Sequence, residues 1–201
     1  MDIQKTMQNL RRNNFDTSFF ETAEEGAAYL CGEIRGTTVG IGGSMTLMEM
    51  DIYNKLLEAG NDVAWHLMDE EHALEIIDRA AKARIYLSSA NAISETGEIV
   101  NIDGRGNRVA ATLSGHERVY IVAGINKIVP TVDDAIYRAR NVAAPLNSRR
   151  LGKKTPCATQ ELKCHDCASP DRICSGLTIL LGKPGAIDKM EIVLINQSLG
   201  Y

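Results

Sequence analysis

The stretch Thr37-Thr38-Val39-Gly40-Ile41-Gly42-Gly43-Ser44 decides the fold class, because a β-branched run passes into glycines and then into a hydroxyl residue. β-Branched residues favour a strand, glycines permit a tight turn, and serine caps the start of a helix. Apolar residues at helical spacing then continue from Leu47 to Leu57, and Gly60 ends the run. The stretch therefore predicts a strand, a glycine turn and a helix.

The same alternation recurs on both sides of this stretch. Strand-like runs occupy 62–66, 84–89, 98–102 and 118–123, and helical patterns occupy 22–34, 69–82 and 131–141. Alternating strands and helices predict an α/β fold with a mostly parallel sheet flanked by helices. Pro145 is predicted to break the last helix. The runs 177–181 and 190–195, joined by 182–185, predict a C-terminal hairpin that closes the sheet edge.

Length and composition favour one domain over residues 1–201. The chain has 201 residues and 44% hydrophobic content, enough for one sizeable core. We expect an N-terminal helical region at 1–35, an α/β core at 36–150, a cysteine-rich loop at 151–175 and the hairpin at 176–201. The formal net charge of −4 argues against a nucleic-acid partner, and no apolar run approaches membrane-spanning length.

Four of the five cysteines lie close together as C-x6-C-x2-C-x6-C, namely Cys157, Cys164, Cys167 and Cys174. This spacing is typical of metal ligands, and it leaves open a structural zinc or a four-iron cluster. Disulfides or free thiols are the alternative. Residues 1–14 are polar and lack the apolar segment of a secretory signal, so a reducing cytoplasm is expected. Cys31 stands alone and is expected to be a small buried hydrophobe.

The glycine turn itself is a candidate anion site. Gly42, Gly43 and Ser44 follow a strand and begin a helix, so free backbone N–H groups would face a bound phosphate or carboxylate. The alternative is that these glycines only let the strand turn into the helix. The turn matches neither the dinucleotide fingerprint nor the Walker loop.

A polar segment at 91–108 predicts a second group of site residues. Asn101, Asn107 and Arg108 lie there, with Asn107 expected at a helix N-cap and Arg108 at a crevice where strands end. Lys127 follows the strand at 118–123 and should reach the same crevice. A surface hairpin without a ligand is the alternative.

Several motifs together resemble the lactate-utilization (LUD) domain family over most of the chain. They are Gly40-Ile41-Gly42-Gly43-Ser44, Ala90-Asn91-Ala92-Ile93-Ser94-Glu95-Thr96-Gly97, Asp103-Gly104-Arg105-Gly106-Asn107-Arg108-Val109-Ala110, Val122-Ala123-Gly124-Ile125-Asn126-Lys127-Ile128-Val129, Ala143-Ala144-Pro145-Leu146-Asn147, and the cysteine-rich ending with Asn196-Gln197-Ser198-Leu199-Gly200-Tyr201. The resemblance is to the short, stand-alone members. It implies a fold akin to ribose-5-phosphate isomerase and the CoA transferases, and a link to iron–sulfur-dependent oxidation of lactate to pyruvate.

Three functional hypotheses follow. In the first, an iron–sulfur redox enzyme or subunit, with a 4Fe-4S cluster, oxidises a small 2-hydroxy acid, while Arg108 and Lys127 neutralise its carboxylate. In the second, an isomerase- or transferase-like enzyme uses Glu95 or Asp103 as a general base on a small phosphorylated or acyl substrate, with a structural Zn2+.

The third hypothesis is a non-catalytic accessory or scaffold protein. Glu95, Asp103 and Lys127 are the candidate catalytic residues of the two enzymatic hypotheses. The expected partners are a small anionic substrate and redox partner subunits, and a homo-oligomer stays open.

Overall fold

Short aliphatic and β-branched runs form two β-sheets in the computed structural model, which describes residues 2–201. Met1, where the predicted N-terminal region begins, lies outside the described residues. The strands are β1 Asp16–Phe20, β2 Thr38–Ile41, β3 Asp62–Ala64, β4 Ile85–Ser88, β5 Ala92–Ser94, β6 Ile99–Asp103, β7 Arg118–Gly124, β8 Ile128–Val129, β9 Gly176–Leu180 and β10 Lys189–Ile195. The helices are α1 Ile3–Arg12, α2 Ala23–Glu33, α3 Met45–Glu49, α4 Ile52–Glu58, α5 Ala73–Ala81, α6 Asn107–Ala111, α7 Val132–Arg138, α8 Ala144–Arg150 and α9 Pro156–Thr159.

The larger sheet is parallel throughout and has the strand order β1-β10-β7-β4-β2-β3. Strand β7 shows why both faces are covered. Val119, Ile121 and Ala123 belong to the core cluster on one face, and Tyr120 and Val122 belong to the cluster on the other. Because successive side chains of a strand point to opposite faces, this apolar run is buried on both sides, as a parallel sheet requires. The α/β prediction is confirmed.

The smaller sheet has the order β8-β5-β6-β9, with β6 antiparallel to both β5 and β9. Its apolar side packs with Ala135 and Ala139 in a third core cluster. The predicted C-terminal hairpin is wrong, because its two runs enter different sheets. β9 pairs with β6, whereas β10 lies between β1 and β7 in the larger sheet. The two apolar runs are close in sequence, but each pairs with strands that are distant in sequence.

The strand, glycine turn and helix around Gly40 form as predicted, with one interruption. Ser44 caps α3 by accepting a hydrogen bond from the Leu47 N–H. A Cβ atom at Gly40 would lie 2.4 Å from the Ala80 carbonyl oxygen, so glycine lets α5 pack directly on β2. The predicted single helix is split into α3 and α4, because Asp51 adopts a left-handed conformation with φ 51°.

The capping signals at two helices are confirmed. Thr22 and Glu25 form a reciprocal capping box at α2, and Thr131 and Asp134 form one at α7. The predicted break at Pro145 is wrong. The chain continues from α7 through a π-helical turn, Ala139–Ala143, into α8, and the Ala144 N–H donates to the Ala139 carbonyl. The proline sits in the first turn after this wider segment, where its missing N–H is tolerated.

The end of the chain returns to the core of the fold. Strand β10 pairs along its full length with β7, and residues after it cross the carboxyl ends of the neighbouring strands. None of the helices in the described part of the chain combines the length and apolar character needed to cross a membrane.

Candidate functional site

A cavity of about 630 Å³ opens where several strands end. Gly43 and Ser44 follow β2, Ser89 follows β4, and Asp103 ends β6, and all four line the cavity. Lys127, in the 3₁₀ turn after β7, lines it as well. Ligands of open α/β sheets bind in the crevice outside the carboxyl ends of the strands. The position of the cavity is therefore that of a binding or active site.

Lys127 is the most unusual side chain in this cavity. It is only 2% exposed, yet its Nζ donates hydrogen bonds to Oγ1 of Thr46 at 2.7 Å and to Oγ of Ser89 at 2.9 Å. A neutral amine has two N–H groups, and both have acceptors here. The remaining position on Nζ carries the lone pair in the neutral amine and the third proton in the ammonium form. A ligand in the cavity can form a hydrogen bond at this position.

The two hydroxyl groups are themselves held in place. Ser89 Oγ donates to Thr46 Oγ1 at 3.3 Å, and Thr46 Oγ1 donates to the Leu199 carbonyl at 3.2 Å. The two hydroxyl protons are therefore donated away from Lys127, and both hydroxyl oxygens can accept from its Nζ. Gly200 packs on this group, since a Cβ atom there would lie 2.7 Å from Thr46 Oγ1. The end of the chain fixes the geometry around the lysine.

Burial makes the Lys127 amine easy to deprotonate. Desolvation, followed by the positive charges of Arg138 and Arg108, lowers the pKa of Lys127 to about 7, although Glu49 acts in the opposite direction. A lysine with such a pKa exists in both protonation states near neutral pH. It can accept a proton from a ligand and return it, which is the requirement for general acid–base catalysis.

The terminal nitrogens of Arg108 make four hydrogen bonds to groups of the protein. Its two terminal nitrogens donate to the carbonyls of Ser89 and Ile102 and to the side chains of Asn101 and Asn91. Burial lowers the pKa of its guanidinium, and the Asp103 carboxylate opposes that effect. Arg108 contributes positive charge to the cavity, but its hydrogen-bonding capacity is used to tie β4 to β6.

Asp103 and Asn101 act as supports for this arrangement. The Asp103 carboxylate accepts from the backbone N–H groups of Arg105, Gly106 and Val109. Asn101 is buried, lies outside the cavity lining, and accepts from the Asn91 N–H as well as from Arg108. Asp103 lies in the cavity wall with its oxygens already bonded.

The predicted N-cap at Asn107 is wrong. Gly106, at φ 93°, occupies the cap position, and Asn107 is the first residue of α6. The Asp103 carboxylate satisfies the N–H groups of this turn, so no capping side chain is needed at 107. Asn107 lines the cavity, and its role in binding an anion stays a prediction.

The glycine turn reaches the cavity in part. Gly43 and Ser44 line it, whereas Gly42 lies behind them, with its carbonyl accepting from Trp65 Nε1. A Cβ atom at Gly42 would lie 2.9 Å from Cγ of Arg108, so glycine is required there for packing. The anion cradle at this turn stays a prediction.

Glu95 is not brought to the cavity. Its Oε1 accepts from the backbone N–H of Asp2, and its carbonyl accepts from Asn9, so it faces the start of α1. The sequence predicted Glu95 as a candidate general base, and that role stays a prediction. Glu95 follows β5, which pairs with β8 in the smaller sheet, and it is absent from the cavity lining.

The cavity carries a strong excess of positive charge in an acidic chain. Its basic lining residues are Arg105, Arg108, Lys127, Arg150, Lys153 and Arg172, and its acidic ones are Asp103 and Asp171. Asp171 accepts from the Lys154 N–H, and Asp103 is bonded as described. The whole chain has a net charge of −4, so these cations give the cavity a charge opposite to that of the chain, and such a cavity attracts anions.

Sequence reasoning missed several cavity residues. Ser89, Asn147, Arg150 and Tyr201 line the cavity and come from distant parts of the chain, but none was predicted as a site residue, although Asn147 and Tyr201 end two of the motifs that resemble the family. Thr46, outside the lining, was not predicted either, and it bonds Lys127. The Tyr201 hydroxyl donates to Asn147 Oδ1 and accepts from Arg150 Nε, which closes one side of the cavity. The signal that was available was the set of polar residues directly after predicted strands.

The four clustered cysteines are half-buried free thiols in different surroundings. Cys157 lies beside Thr155 Oγ1, Cys164 accepts from Arg140 Nη2, and Cys174 packs against the cluster of the smaller sheet. Among residues 2–201, no three His, Cys, Asp or Glu side chains come together as a metal site. As placed, the thiols do not fit a cluster, and the metal or iron–sulfur ligand set stays a prediction. Cys31 is half-buried against the core, close to its predicted role.

Comparisons with known proteins support the fold and identify the family. The structure is similar to the crystal structure of a DUF162 family protein from Deinococcus radiodurans, with 18% identity, 96% of each chain covered and a TM-score of 0.54, which supports the fold alone. No curated protein matches the chain significantly. The family model of the LUD domain matches residues 3–195. The chain therefore belongs to the LUD domain family.

Proposed function

We propose that the cavity binds a small 2-hydroxy or 2-oxo acid such as lactate or pyruvate, and that Lys127 moves a proton at its C2 oxygen. Membership of the LUD family supports a function related to lactate utilization. The observation that carries the proposal is the buried Lys127 amine, held by two hydroxyls at the wall of a basic cavity.

The charge of the cavity supports a carboxylate ligand. Of the basic lining residues, Arg108 has its terminal nitrogens engaged with protein acceptors, so a carboxylate would be neutralised mainly by the others. Such charge-assisted contacts are stronger than neutral hydrogen bonds. The same cations would attract the anion from solution, because lining charges of one sign raise the local concentration of the opposite ion.

The proton chemistry follows from the state of the amine. Neutral Lys127 would accept the hydroxyl proton of a 2-hydroxy acid as its C2 oxygen becomes a carbonyl, and the ammonium form would return that proton in the reverse direction. Thr46 and Ser89 would hold Nζ still during the transfer. This role is the one we assign to the chain, as an enzyme or as a subunit of one.

Oxidation of a 2-hydroxy acid also removes the hydrogen on C2 together with two electrons, so an acceptor for this hydride equivalent is required. The iron–sulfur cluster predicted from the cysteine spacing would supply one-electron redox chemistry. No step is assigned to it here, because the thiols as placed do not converge. The proton-transfer role of Lys127 is independent of which acceptor takes the electrons.

Calorimetric titration with lactate and pyruvate tests the proposal. Lys127→Met keeps the length of the side chain and removes its charge. At about pH 6 the variant should bind lactate and pyruvate about tenfold or more weakly, because one hydrogen bond to a charged group is lost. Lys154→Ala is the control, because Lys154 is exposed and lies outside the cavity lining. Absence of binding to the unaltered protein, or equal affinity in both variants, would refute the proposal.

A further inference from the structure

The cavity is much larger than the ligand proposed for it. A lactate ion takes up roughly 100 Å³ on the scale on which one water takes about 30 Å³. The cavity has about 630 Å³, which is within the range of sites that hold larger molecules. A lactate-sized acid bound at Lys127 would leave most of this space to water.

The unfilled part of the cavity is lined by a second set of cations. We call Arg105, Arg150, Lys153 and Arg172 the mouth cations, because three of them are exposed and Lys153 is half-buried. Lys127, by contrast, is buried at the hydroxyl pair. Positive charge therefore occurs at two depths of one cavity.

The mouth cations are only weakly neutralised by the protein. Arg150 contacts the neutral groups of Asn147 and Tyr201, and Arg172 donates to the Cys174 carbonyl. Asp171, the acidic residue among them, lies in the same wall and already accepts from the Lys154 N–H. Charge of this kind attracts a group with more than one negative oxygen.

We infer that the ligand carries a second anionic group, phosphoryl or carboxylate, which the mouth cations bind while its 2-hydroxy or 2-oxo acid end lies at Lys127. This inference rests on the proposed function and narrows its substrate class. Lactate itself would then be a minimal fragment of the preferred ligand.

The cysteine-rich segment supplies part of the mouth. Residues Pro170–Ile173 line the cavity, and Gly104 lets the segment approach, since a Cβ atom there would lie 3.0 Å from Cα of Ile173. The Ser175 N–H also donates to the Asp103 carbonyl. Arg172 is thus delivered to the cavity by the segment that separates Cys167 from Cys174.

Two matched pairs of acids test the inference by calorimetry. Glycerate and 3-phosphoglycerate differ by a phosphoryl group, and lactate and malate differ by a carboxylate. We expect the member with the second anion to bind the unaltered protein about tenfold more tightly in at least one pair, and the pair that shows the difference identifies the group.

Neighbouring lysines provide the control for nonspecific charge. Lys153 lines the cavity and Lys154 does not. Lys153→Ala and Arg105→Ala should each weaken binding of the doubly anionic acid about threefold or more, and should weaken binding of its singly anionic partner by a smaller factor. Lys154→Ala should change neither.

Two results would overturn the inference: equal affinities within both pairs, or equal effects of Lys153→Ala and Lys154→Ala. In either case, binding of lactate that depends on Lys127 would leave the proposed function standing. Conversely, a protein that binds 3-phosphoglycerate through Lys153 but binds neither lactate nor glycerate would retain the second subsite and lose the proposed function.

Discussion

The Nζ atom of Lys127 lies 2.7 Å from Oγ1 of Thr46, across 81 positions of sequence. Thr46 comes from the helix after β2, and Lys127 from the turn after β7, so the bond exists only because both strands end at the same edge of the sheet. The bond holds a titratable amine in a buried position where a ligand can reach it.

Removal of the Thr46 hydroxyl should change both the free energy of unfolding and the pKa of Lys127. Thr46→Val keeps the shape but leaves Nζ and the Leu199 carbonyl each short of a partner, which should cost about 1–3 kcal/mol of unfolding free energy. It should also lower the pKa of Lys127 further, because the ammonium form loses an acceptor that stabilises it. Thr6→Val is the control, since buried Thr6 bonds only the Asp2 carbonyl within α1. Equal losses in urea denaturation would contradict a special role for Thr46.

The stability of the protein should depend on pH through Lys127. Its pKa is 10.5 ordinarily and about 7 in the folded protein. Between these values the unfolded chain holds a proton that the folded protein has released, so rising pH favours folding, by up to about 1.4 kcal/mol per pH unit. Below about pH 7 both states are protonated and the dependence ends.

Lys127→Met should abolish this contribution. Chemical denaturation of both proteins at several pH values would show the wild-type free energy of unfolding rising relative to the variant between those two pKa values. A difference between the two proteins that stays constant with pH would show that burial does not perturb the amine.

Arg108 should behave as a structural residue. Arg108→Lys keeps the charge but cannot reach the four acceptors of the guanidinium, and should cost about 2–4 kcal/mol of unfolding free energy. Arg84→Lys changes an exposed ion pair with Glu117 and should cost less than about 1 kcal/mol. If both variants were equally stable while Arg108→Lys lost lactate binding, Arg108 would be a ligand-binding residue instead.

The cysteine spacing makes a separate prediction about metal. Protein purified without oxygen should contain about four irons per chain if the ligands hold a cluster, or one zinc if the site is structural. Cys164→Ala and Cys167→Ala should lose the metal, and Cys31→Ala should keep it. Equal metal content in the three variants, or none in the unaltered protein, would reject the ligand assignment.

Local signals in the sequence predicted much of the fold. The capping boxes at Thr22 and Thr131 and the glycine turn after β2 depend on neighbouring residues, and all three form as expected. The C-terminal hairpin failed because the partners of β9 and β10 are set by burial across the whole fold, which nearby turn residues do not encode. Pro145 failed because a π-helical turn makes room for it.

The candidate site was predicted where it depends on strand ends. Ser44 and Lys127 follow strands of the parallel sheet, and Asp103, Asn107 and Arg108 lie at or after the end of β6 in the smaller sheet; all five line one cavity. Thr46, Ser89 and Tyr201 were not predicted, because threonine, serine and tyrosine are common and only long-range contacts give them a role. The sequence also contained no indication that Arg108 makes four hydrogen bonds to protein acceptors.

The most direct test of the account is the titration of Lys127 itself, followed by the NMR signal of its ¹³Cε in the presence and absence of lactate. We predict a midpoint at about 7 for the free protein, which moves upward when a bound carboxylate stabilises the ammonium form. A midpoint near 10.5 that lactate leaves unchanged would contradict both the buried amine and its place in the binding site.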